Sequence, residues 1–337
     1  MACVIFVCQD MDSEDSSLNF IDQEIALETE TGFGVNVPLA ISSALLRRLE
    51  ETARPCVRMA IEGSSASVGA LPGWLERASD IRTLGFSERD GLSILHLIAP
   101  TLGDAVPEVF NQGTLWPGMA SPEDTAIQLI GRVSSVVRQQ EAASDMYDQP
   151  LLKHLIHWQT LFKREVKELR LPAASTAAGT STNNLPITLD INVVENARAL
   201  SAKVPTPRQI RVVGKLDMVR HSTRSFALVL SRGEEVRGIL IDHDPALLQQ
   251  YFGKEITVFG RAIYRPSGSL LRIDAQEIVD TTEGREAFSA IPEPLSQALR
   301  VERKVQTPRS GVAAFFDTWP GEETDGELLA ALGALRR

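Results

Sequence analysis

Between Arg208 and Asp280 the chain repeats one pattern five times. Arg208–Arg220, Ser225–Leu230, Val236–Ile241, Glu255–Tyr264 and Leu270–Ile278 are runs rich in β-branched residues, in which apolar and polar side chains largely alternate. A period of two sends successive side chains to opposite faces, the pattern of a half-buried strand. Between the third and fourth runs, Pro245–Phe252 has helical character and is closed by Gly253. Five strands with one short helix between the third and fourth predict a closed barrel, an arrangement that leaves no sheet edge exposed.

The alternation assigns faces. Ile210, Val212, Gly214, Leu216 and Met218 share one side of the first strand, and Arg211, Val213, Lys215 and Asp217 the other. Gly214 in mid-strand predicts a bulge, which small barrels use to turn a corner. Phe226, Leu228 and Leu230 are expected to face the core. On strand count, helix position and the mid-strand glycine, the region resembles an oligonucleotide/oligosaccharide-binding (OB) barrel over about 75 of the 337 residues.

Single-strand binders of this architecture combine a basic groove with exposed rings. The candidates for such a surface are Arg211, Lys215, Arg237, Arg261 and Arg272, with Tyr264 as the stacking platform and Phe259 placed in the core. Against this, the outward residues of the second strand, Ser225, Ala227, Val229 and Ser231, cannot stack on a base. The same charges also fit a solvated outer face with scattered ion pairs. The net charge is -10, and residues 207–280 hold 11 Lys and Arg against 9 Asp and Glu. A strongly basic footprint is therefore absent.

Ahead of the barrel, residues 1–171 read as a mixed α/β domain within an α+β protein. Val4–Val7 has the form of a short strand, and Asn19–Val37 that of a hairpin or mobile flap broken by Gly32 and Gly34. Leu39, Leu45, Leu46 and Leu49 recur at helical spacing, giving a helix over 38–52. Val57–Ile61 alternates and reads as a strand, and Pro72–Ala78 as a short helix. Ile81–Phe86 and Leu92–Ile98 pair as a hairpin turned through Ser87–Gly91. Pro100–Met119 is irregular, and an enzymatic site would centre there. Two helices, 121–142 and 149–171, are expected to form a long antiparallel pair. Residues 172–184 lack large apolar side chains and read as a linker. A strand (185–191) and a helix (193–202) then lead into the barrel, so that 185–280 forms the second domain.

Chemistry is sparse. His154 and His157 share a helix face, but Glu165 and Glu168 lie too far along the chain to complete a metal site. In Asp242-His243-Asp244, Asp244 before Pro245 is a helix cap. His96 and His221 have no visible partner. Cys3, Cys8 and Cys56 match neither a metal spacing nor a disulfide framework. No cofactor motif occurs. No apolar run approaches the roughly 20 residues of a membrane span, so the expected location is the cytoplasm.

Residues 281–337 form a polar tail. Phe315, Phe316 and Trp319 are followed by a capping box, Thr324 and Glu327, and a helix with Leu328, Leu329 and Leu332 on one stripe. This has the form of a docking segment for another protein. The run from Trp319 to Leu329 is similar to tails of small bacterial proteins, some resembling toxin–antitoxin components; the resemblance covers about 20 residues and transfers no catalytic residue. The sequence thus points to a non-enzymatic binding or adaptor protein, the alternative being a nucleic-acid-associated regulator, antitoxin- or defence-like, acting through the barrel.

Overall fold

Thr125 opens the helix that underlies the first core. Its side chain accepts from the Gln128 N–H, and the Gln128 side chain accepts from the Thr125 N–H, a reciprocal capping box that sets the start at Ala126. In the computed structural model, residues 18–66, 71–110, 120–173, 186–221, 223–241 and 246–280 are described, with Gly326 alone in the tail. The expected strand at Val4–Val7, residues 174–184 of the linker, Asp242–Asp244 and the tail residues Phe315, Phe316, Trp319, Leu328, Leu329 and Leu332 lie outside them.

The first part runs β1 (Phe20–Thr29), α1 (Leu39–Glu62), α2 (Gly73–Ala78), β2 (Arg82–Arg89), β3 (Leu92–Pro100), α3 (Leu102–Ala105), α4 (Pro107–Phe110), α5 (Ala126–Arg138), α6 (Gln149–His157), α7 (Gln159–Phe162), β4 (Val166–Leu171), β5 (Ile187–Asp190) and α8 (Ile191–Lys203). The second runs β6 (Arg208–Arg220), β7 (Ser225–Val229), β8 (Glu235–Leu240), α9 (Ala246–Gln249), β9 (Glu255–Tyr264) and β10 (Leu270–Asp280).

The first five strands form an antiparallel sheet in the order β2-β3-β1-β4-β5. Ile25, Leu27, Leu95, Leu97, Leu169 and Leu189 point from it into a core shared with α1, α5, α6 and α8. Asp22, Glu24 and Ala26 of β1, paired with Ile98, His96 and Ile94 of β3, lie on the opposite face.

Several elements differ from the sequence expectation. Val57–Ile61 is not a strand; α1 continues through Pro55 to Glu62. The buried stripe Leu45, Leu49, Thr52, Ala53, Cys56 and Val57 keeps helical spacing across the proline, so burial outweighs the lost N–H bond. Gly63, at φ 74°, then ends the helix in the left-handed region. Asn19–Val37 is no hairpin, because β1 is the central strand. The long antiparallel helix pair is absent among the described residues. The expected second helix is divided into α6 and α7 and ends at Phe162, Glu165 turns the chain at φ 51°, and Val166–Leu171 joins the sheet beside β1. The strand and helix expected to lead the barrel instead complete the first layer: β5 pairs with β4, and Val193, Val194, Ala197 and Leu200 of α8 enter the first core.

The barrel is closed, in the order β10-β8-β7-β6-β9. β8 and β10 run parallel and the other pairs antiparallel, an arrangement compatible with an OB-like barrel. Ile210, Val212, Leu216, Phe226, Leu228, Val258 and Ile273 fill its interior. Gly214 and Gly260 provide the close approaches. A Cβ at Gly214 would stand 3.1 Å from the Val229 carbonyl oxygen, and one at Gly260 would collide with the Asp274 carbonyl. The register shift in β6 falls between Leu216 and Met218 rather than at Gly214.

Sheet and barrel belong to one compact unit, residues 1–294. Leu271 of β10 is part of the first core, and Ile263 of β9 packs against it. The junction is polar as well. The Ser267 N–H donates to the Ala142 carbonyl at 3.0 Å. Arg265 donates to Asp145 from Nε at 2.8 Å, and Arg237 reaches the same carboxylate at 3.4 Å. Arg220 donates to the Val109 carbonyl. Arg272, like Arg220, is buried there, at 5 % exposure.

Candidate functional site

Strand parity decides the fate of the six candidate barrel residues. Ile256, Val258, Gly260, Ala262 and Tyr264 all point inward, so Tyr264 lies in the barrel core at 1 % exposure and offers no stacking surface. Burial holds its phenol above the usual tyrosine range. The assignment of the two rings is therefore reversed. Phe259, one position out of phase, faces outward and is half-buried. It sits opposite Arg211 on β6, whose guanidinium lies over the ring, 5.0 Å from its centroid.

Arg272 is also corrected. Its Nε donates to Asp274 at 2.8 Å and its Nη1 to Asp148 at 3.2 Å and the Gly63 carbonyl at 3.0 Å. Its Nη2 donates to Ser64 Oγ at 3.0 Å. It is an internal tie between the sheet layer and the barrel. Arg237 lines a groove of about 410 Å³ with Arg265, but Asp145, Glu234 and Glu235 line it too, so the groove is no cationic channel. Arg211, Lys215 and Arg261 alone of the six share the β6–β9 outer face. Lys215 stands across from Glu255, and Arg261 across from Gln209 and Asp274, so charge of both signs is interleaved.

The two helix histidines, His154 and His157, have ring centroids 6.2 Å apart, and burial lowers the His154 pKa. Among the described residues, no group of three or more His, Cys, Asp or Glu is placed to hold a metal ion. Cys56 is fully buried, which pushes its thiol far above the usual range. No helix of the described residues is long and apolar enough to cross a membrane.

A constellation that the sequence did not disclose lies on the open face of the sheet. His96 of β3 stands directly across from Glu24 of β1, with Nδ1 3.5 Å from Glu24 Oε1. From the other side, Ser87 Oγ of β2 is 2.6 Å from His96 Nε2. Arg89 donates to both oxygens of Glu24, at 2.7 and 2.9 Å. Those hydrogen bonds hold the Glu24 carboxyl below its usual pKa, against the opposing effect of burial.

The hairpin turn builds this array. Asp90 and Gly91 both have positive φ, 55° and 76°, as a two-residue type I′ turn requires. Counting back from the turn pairs Arg89 with Leu92, Ser87 with Ile94 and Gly85 with His96. Ser87 and His96 are thus diagonal neighbours on one face, within side-chain reach. A one-residue register shift between Thr83 and Gly85 lets Arg82, an odd number of residues from Ser87, share that face. There Arg82 lies 4.3 Å over the Phe20 ring. The Asp90-Gly91 pair was the available signal; a turn drawn through Ser87 removes the serine from the strand.

No family model, curated protein or solved structure matches this chain. None of these comparisons supports the expected resemblance of the tail to toxin–antitoxin-associated proteins.

Proposed function

We propose that this chain is a binding protein that meets a protein partner on the β6–β9 outer face of its barrel. The observation that carries this reading is the Arg211 guanidinium over Phe259, flanked by Lys215 and Arg261 with acids interleaved. Arg and aromatic side chains are enriched where protein interfaces derive their affinity, and a mixed-charge surround favours a specific partner over a polyanion. A single-stranded nucleic acid is the less favoured partner, because the ring face that a base would stack on already carries a guanidinium. The aromatic tail, with Phe315, Phe316 and Trp319 ahead of Leu328, Leu329 and Leu332, is the second docking element of this reading.

Quantitative affinity capture compares the full chain with Phe259→Ala/Arg261→Glu and with a deletion of 315–337. Partners retained by the full chain and lost by the double variant are expected. Identical capture by all three overturns the reading. Fluorescence anisotropy with single-stranded DNA and RNA, at 50 and 200 mM salt, tests the regulator reading. Binding that weakens steeply with salt would replace the protein partner by a nucleic acid.

A further inference from the structure

We propose that Ser87 is a base-activated nucleophile that accepts acyl groups from activated esters, with His96 as its general base and Glu24 and Arg89 as positioning residues. The argument rests on geometry. At 2.6 Å, Ser87 Oγ and His96 Nε2 are in direct hydrogen-bond contact, as a nucleophile and its base must be. For Nε2 to accept the serine proton, the ring must carry its own proton on Nδ1. Glu24 stands 3.5 Å from Nδ1 and favours that tautomer, while Arg89 fixes both Glu24 oxygens. The arrangement follows the nucleophile, base and orienting-acid logic, assembled from three adjacent strands.

The chemistry is balanced without any group the chain lacks. Ser87 Oγ bonds to the ester carbonyl carbon as its proton passes to His96 Nε2, and the carbonyl π pair moves onto oxygen. The carbonyl re-forms, the bond to the leaving alkoxide breaks, and His96 returns the proton to that alkoxide. Water then repeats the sequence on the acyl-serine, giving the carboxylic acid and restoring the hydroxyl. Ser87 and His96 lie half-exposed on a sheet face, and Glu24 is exposed. The site therefore suits an ester presented from solution rather than one engulfed in a pocket. Charge on the carbonyl oxygen is left to water, so reactivity of the serine is the sensitive readout and turnover is slow.

The full chain is treated with a fluorophosphonate probe, which forms a serine O–P bond and expels fluoride, and the adduct is located by peptide mass spectrometry. p-Nitrophenyl acetate supplies the acyl version, read as a p-nitrophenolate burst. Labelling at Ser87 is expected, abolished in Ser87→Ala and slowed about tenfold or more in His96→Gln. Glu24→Gln is expected to slow labelling less, and Glu24→Asp to restore part of the rate, which loss of a surface ion pair alone would not do. Circular dichroism checks that each variant folds. The unaltered chain decides the matter by itself: a probe that reacts elsewhere, or nowhere, leaves a cross-strand polar network and overturns the assignment.

Discussion

Replacing Arg272 with methionine keeps an unbranched apolar stem and removes the guanidinium and its charge at the sheet–barrel junction. The structure sets the magnitude. Arg272 makes hydrogen bonds to Asp274, Asp148, the Gly63 carbonyl and Ser64, and Asp148 is wholly buried. Breaking one side of a buried ion pair costs about 3–5 kcal/mol, because the remaining charge stays desolvated. Asp148 keeps other donors: the Ser65 N–H at 3.0 Å, the Ser65 hydroxyl, and the Leu151 N–H at 3.2 Å, which it caps. The expected loss is therefore near the lower end, about 3 kcal/mol, or roughly 5 °C in Tm for a unit of this size. Urea denaturation of Arg272→Met, Asp148→Asn and the double variant closes a cycle. The double variant should cost at least about 1 kcal/mol less than the sum of the singles. A single-variant loss below about 1 kcal/mol, or strict additivity, would refute the view that these side chains hold the layers together.

Thr52→Val should destabilise by about 1–3 kcal/mol, because the buried Trp158 Nε1–H loses the Thr52 hydroxyl 2.9 Å away; chemical denaturation should show Thr52→Ser recovering most of it. Gly238→Ala drives a Cβ into the Phe226 ring inside the barrel and should cost about 1–3 kcal/mol, so an unchanged denaturation midpoint would contradict the barrel packing. Asp190 caps α8. Burial alone would raise its pKa, but the Val193 N–H, Arg138 and Asn192 together hold it below the usual carboxylate range. A depressed carboxylate contributes stability above its unfolded pKa of about 3.9 and loses it as pH falls through the folded value. Asp190→Ala should thus cost about 1 kcal/mol at neutral pH, with the gap to the unaltered chain narrowing in melts below about pH 4.

The barrel was legible because alternation and one helix position overdetermine it. Its surface was less so. Tyr264 and Phe259 are five apart, so period two separates their faces, yet which of the two faces inward depends on the phase shared with Ile256, Val258 and Ala262. Val166–Leu171 misled for another reason: Lys, Glu, Leu and Arg favour helices, and only the exposed edge of β1 pulls the segment into a sheet. The helix expected over 38–52 errs in the opposite direction: a proline usually marks a boundary, and here the buried stripe carries α1 past Pro55. The Ser87–His96–Glu24 array depends on two strand registers at once. One followed from Asp90-Gly91, but the other, β1 against β3, joins segments about 70 residues apart and has no local signature.

Pro205 and Pro207 stand between α8 and β6, where a protein chemist would divide this chain to study the halves. The Arg272–Asp148 contact makes that a poor choice. Severed there, one fragment would keep an orphaned anion under the end of α1 and the other a stranded guanidinium, and each would show apolar surface at Leu271 or its seat. Two soluble, well-behaved fragments are not to be expected.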